Sequence, residues 1–73
     1  MNAAETCRQN GWVVGDVLEG DEGYGPSRIR ITAIGEWVMV AVETWRNGKP
    51  LPADELSEGP WSLECRDWKK VPG

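Results

Sequence analysis

SRIRITAIGEWVMVAVETW, residues 27 to 45, decides the fold. In its first half the side chains alternate. Ile29, Ile31 and Ala33 point one way and Arg28, Arg30 and Thr32 the other, the period of two that marks a strand with one wet face. Gly35–Glu36 then makes a short turn. The second half, WVMVAVETW, is apolar on both faces, which is the pattern of a central strand. Val38, Val40 and Val42 share a face, and Trp37, Met39 and Ala41 share the opposite one. If the valines join Ile29 and Ile31 in the core, Trp37 and Met39 lie outside, under a loop or on an open patch.

On the N-terminal side, GWVVGDVLEG (11–20) places β-branched residues around a Gly15–Asp16 turn and leads into an entry strand at Val17–Leu18–Glu19. GDEGYGPS (20–27) follows, a glycine-rich excursion suited to positive φ. The first ten residues, MNAAETCRQN, lack a capped amphipathic pattern and read as a loose arm, disordered or helical.

On the C-terminal side, RNGKPLPADELSEGP (46–60) opens with an Asn47–Gly48 turn and reads as a long loop. Its Lys49–Pro50–Leu51–Pro52 piece suits polyproline geometry against the domain's own tryptophans. ADEL is too short to predict a helix. In WSLECRDWKKV (61–71), Trp61 and Leu63 face inward, Arg66–Asp67–Trp68 turns, and Lys69–Lys70–Val71 forms a last strand. The whole predicts an all-β fold: a small five-stranded SH3-like barrel over residues 11–73, preceded by an arm over 1–10, with a helical turn before the last strand.

Composition bounds the function. A chain of 73 residues makes one domain and buries only about 60% of the surface its unfolded form exposes. Five tryptophans, with no phenylalanine or histidine, supply most of its large apolar area. A domain this small seldom buries all five, so some are contact residues. Trp61 and Trp68 are assigned to the core; Tyr24, Trp37 and Trp45 are the candidate contacts. Acidic residues outnumber basic ones by 12 to 8, the reverse of a protein that coats nucleic acid. Asp21, Glu22, Asp54, Glu55 and Glu58 are placed to steer a basic partner.

Catalysis lacks its parts. Without histidine no group titrates ordinarily near neutral pH, and no serine has an imidazole to activate it. Two cysteines, Cys7 and Cys65, cannot complete a zinc site, so neither metal nor cofactor is expected. Both thiols read as free in a reducing cytosol, and no apolar run of spanning length is present. Arg28, Arg30, Arg66 and Lys69 define an alternative patch for a single strand or nucleotide. Against it stands simple pairing of Arg28 and Arg30 with Glu36, Glu43 or Glu64.

The spacing of GDVLEG, the glycine-rich loop, IRITAIGE and the closing WSLECRDWKKV resembles a family of small accessory proteins encoded by tailed bacteriophages, in which a terminal W-x-L-x-x-R-x-W-x-K-V segment is typical. The resemblance spans residues 15–71. It implies phage origin and expression in the cytoplasm of an infected bacterium, and it implies no chemistry. The strand order also resembles that of SH3-like barrels, with Glu19, Asp21, Glu22, Tyr24 and Trp37 as loose counterparts of the acidic loop and aromatic groove of peptide-binding SH3 domains. The aromatic-rich opening motif of those domains is missing. The resulting expectation is a non-enzymatic module that binds a host or phage protein. The alternatives are a nucleic-acid or nucleotide-binding barrel, and a particle subunit or homo-oligomer assembling through a Trp37–Met39 face.

Overall fold

The computed structural model describes residues 2–21, 23–64 and 67–72. The two halves of the deciding stretch form β2 (Pro26–Ile34) and β3 (Met39–Arg46), an antiparallel pair joined by the turn at 35–38. β1 (Val17–Asp21) pairs with β2 from Val17↔Arg30 to Asp21↔Pro26. The glycine-rich excursion is therefore a tight hairpin, with Gly23 and Gly25 supplying its positive φ angles of 105° and 109°.

The core lies on the opposite face of β3 from the one the valines suggest. Met39 and Ala41 are fully buried with Leu18, Ile29 and Ile31, whereas Val38 is exposed and Val40 and Val42 are half-buried. The register explains this. Ile31 pairs with Ala41, and directly opposed residues of a ladder share a face, so Ala41 and Met39 follow Ile31 inward.

Two bulges reset the alternation. Thr44 is the extra residue on β3 between the Arg28↔Trp45 and Ile29↔Glu43 pairs, and Thr32 is the extra residue on β2 between Ile31↔Ala41 and Ala33↔Val40. Each threonine hydroxyl donates to a carbonyl of the facing strand, Thr32 Oγ1 to Val40 O at 3.2 Å and Thr44 Oγ1 to Arg28 O at 3.4 Å. The Thr32 bulge turns Ala33 out to solvent, against the simple alternation, and turns Ile34 toward the core.

The N-terminal arm is a capped helix, α1 (Ala3–Asn10). Asn2 Oδ1 accepts from the Glu5 backbone N–H at 2.8 Å, while Glu5 Oε1 accepts from Asn2 Nδ2 at 3.1 Å. Gly11 ends the helix at φ 72°, and Trp12 N donates back to Cys7 O at 2.9 Å. Ala4 and Cys7 are fully buried, and burial pushes the Cys7 thiol pKa up, partly offset by Arg8. Arg8 ties the helix to the β2–β3 turn by donating to Gly35 O at 3.0 Å and Glu36 O at 3.1 Å. The other cysteine, Cys65, lies outside the described residues.

After β3, the chain turns at Asn47–Gly48 into β4 (Lys49–Pro50), makes a single 3-10 turn at Ala53–Glu55, and returns as β5 (Glu58–Trp61). β4 and β5 both pair with β3, as one strand interrupted by a loop. Lys49–Pro50 thus joins a ladder rather than lying as polyproline on the tryptophans, and the helical turn comes earlier than expected. β6 (Lys69–Lys70) pairs with β1. The sheet order β4-β3-β2-β1-β6, with β5 beside β3, is the SH3-like order once β4 and β5 are counted together. Among the described residues the two ends of this sheet share no ladder. Trp61 and Trp68 bridge them instead, edge to face with ring centroids 6.0 Å apart and an interplanar angle of 82°.

Candidate functional site

Three separate places receive the residues singled out from the sequence. The β1–β2 hairpin carries Asp21 and Tyr24. Asp21 Oδ1 accepts from the backbone N–H of Gly23 at 2.7 Å and of Gly25 at 3.3 Å, an Asx arrangement that fixes the loop. Gly25 lies against the β3–β4 turn so closely that a Cβ there would sit 2.8 Å from the Asn47 carbonyl, and Gly48 N donates to Pro26 O at 2.7 Å. Tyr24, between Gly23 and Gly25, stands 79% exposed. Glu22 lies outside the described residues.

Trp45 reaches the same end of the sheet on its outer face, half-buried, with the Arg28 guanidinium carbon 4.5 Å from its ring centroid. Arg28 Nε also donates to Glu19 Oε1 at 3.2 Å. Its carboxylate partner is therefore Glu19 across β1, not Glu36, Glu43 or Glu64. Glu43 takes Arg46 instead, at 2.6 Å. That bond, with the charges of Glu43 and Glu55, raises the Arg46 pKa.

Trp37 stands apart. It is 69% exposed on the β2–β3 turn, at the other end of the nine-residue β2, which puts roughly 25 Å of strand between it and the Tyr24 turn. Met39 is buried, so no Trp37–Met39 face exists. Asp54 and Glu55 are exposed on the 3-10 turn, and Glu58 opposes Val42 from β5.

Beside the Tyr24 hairpin a groove of about 380 Å³ runs between β1 and the segment that enters β6, lined by Glu19, Gly20, Asp21, Pro26, Asp67, Trp68 and Lys69. Its lining combines three acidic residues and one lysine with Trp68 and Pro26; of the acids, Glu19 is also paired with Arg28 and Asp21 accepts from its own turn. Asp67 and Trp68 were not selected from the sequence as contacts, and Glu19 entered only as a loose counterpart of an SH3 acidic loop. What unites them is the Glu19↔Lys69 pairing of β1 with β6, and no local pattern announces a ladder between segments fifty residues apart.

The arginine patch is interrupted. Lys69, Glu19, Arg28 and Trp45 form one row across four strands, with the Glu19 carboxylate between the two cations. Arg30 is exposed one row away, and Arg66 lies outside the described residues. Among the described residues no three carboxylate or thiol side chains cluster to hold a metal, and no helix is long and apolar enough to cross a membrane.

A family model described as a domain of unknown function, DUF7241, matches residues 1–73. No curated protein and no solved structure matches the chain.

Proposed function

We propose, from the premise that this chain belongs to the DUF7241 family of domains of unknown function, that it is a non-enzymatic protein-binding module that seats a cationic side chain of its partner in the groove beside Tyr24. The observation that carries this reading is the groove itself, whose lining brings Glu19, Asp21 and Asp67 together with Trp68 and Pro26. Carboxylates at the rim of an aromatic wall suit a lysine or arginine, whose stem packs on the rings while its charge meets the acids. Tyr24 adds contact area from a turn whose backbone is held by the Asp21 carboxylate, which lowers the backbone part of the ordering cost. The partner is accordingly a protein with a basic surface. With the resemblance to phage accessory proteins, it is a host protein in the cytoplasm of an infected bacterium, bound so as to block it.

The nucleic-acid reading is weaker on physical grounds. Glu19 interrupts the positive row, and the net charge of −4 repels phosphates.

The test is retention of proteins from nuclease-treated bacterial lysate on the tagged chain at low and high salt, beside the Asp67→Asn variant. One protein held by the parent and reduced several-fold by Asp67→Asn is the expected result. Recovery of nucleic acid alone, lost as salt rises, would overturn the reading.

A further inference from the structure

The inversion of β3 leaves its valines on the outer face of the sheet, and what surrounds them is ordered by charge. Paired residues set two rows across that face: Arg30–Val42–Glu58 and Ala33–Val40–Pro60. The first row runs cation, apolar, anion; the second is apolar throughout. Arg30, Ala33, Glu58 and Pro60 are exposed, Val38 is 56% exposed at the end of the stripe, and Val40 and Val42 are half-buried. Among the described residues neither Arg30 nor Glu58 takes part in an ion pair. α1 packs on the inner side, where Cys7 joins the core cluster.

We propose that this face binds a second copy of the chain across a two-fold axis running along β3. The charges select both the occupant and the axis. Rotation about a line parallel to β3, above its valines, exchanges the β2 side of one copy with the β5 side of the other. Arg30 of one copy then opposes Glu58 of the other, symmetry repeats the pair, and Val40 and Val42 meet their own counterparts, as an isologous interface requires. An axis across β3 would set Arg30 over Ala33 and Glu58 over Pro60, desolvating four charges with no partner. The face is small beside the 20–30 residues a side of a standard interface, so a dissociation constant on the order of 10⁻⁵–10⁻⁴ M is expected.

Sedimentation of the full chain from about 10 µM to 1 mM spans that range and reads the constant directly. The expected result is a monomer–dimer equilibrium that Arg30→Glu and Glu58→Arg each weaken about tenfold or more, and that the double variant R30E/E58R restores to within about threefold of the parent. Both side chains are exposed, so the swaps leave the fold intact, and far-ultraviolet circular dichroism checks this. A parent that stays monomeric at the top of the range would overturn the proposal. So would a dimer indifferent to the single swaps, or one the double swap fails to restore.

Discussion

Tyr24 and Trp37 are both exposed aromatics in different surroundings. Tyr24 rises from a turn tied by the Asp21 carboxylate and pressed on Asn47, beside an acidic groove. Trp37 projects from a turn whose contacts with the helix run through the Gly35 and Glu36 carbonyls. At 69% exposure its ring contributes little to folding, so Trp37→Ala is expected to change stability in urea by no more than about 0.5 kcal/mol. Trp12 is only 9% exposed within the core cluster, and Trp12→Ala is expected to cost about 3–5 kcal/mol in the same measurement. The count of tryptophans implied that not all could be buried, but the chain pattern around each ring did not separate the exposed from the buried. Trp68 illustrates the limit: it packs on the core and lines the groove at once.

Among the elements, the strands were legible and two finer features were not. Alternation in 27–34 and the apolar run of 37–45 located β2 and β3 closely. Which face of β3 turned inward could not be read from a run apolar on both sides, because valine and methionine satisfy a core equally well. The two threonine bulges that set the register carry no distinctive local signal, since threonine is common in strands. That the arm, expected as disordered or helical, is a helix could not be decided from the sequence for a different reason. Its apolar side consists of Ala3, Ala4 and Cys7, residues too small to stand out, while its start signal, Asn2 followed three residues later by Glu5, lies at the very beginning of the chain. That cap has a measurable consequence. Asn2→Ala removes the acceptor for Glu5 N–H and is expected to destabilise the fold by about 1 kcal/mol in thermal or urea unfolding. An arm that merely frayed would show no change. Because Ala4 and Cys7 are buried, the helix is part of the domain rather than an appendage to it.

At the scale of the molecule, the sheet is a partly open barrel whose ends meet through Trp61 and Trp68 rather than through a ladder. The SH3-like order followed from counting strands and loops. The groove did not, because its lining depends on the register of the β1–β6 pairing, Glu19 opposite Lys69, which strand order alone does not set. The fold leaves two surfaces of different character: an acidic groove with an exposed tyrosine beside it, and a valine stripe flanked by opposite charges on the outer face. The proposed function rests on the first, and under that proposal Tyr24, not Trp37, is the energetic contact. Titration calorimetry of the protein retained from lysate against the parent, Tyr24→Ala and Trp37→Ala measures this directly. Loss of about thirtyfold or more in affinity for Tyr24→Ala, with Trp37→Ala unchanged, is the expected result; the reverse order, or equal affinity for all three, would contradict it.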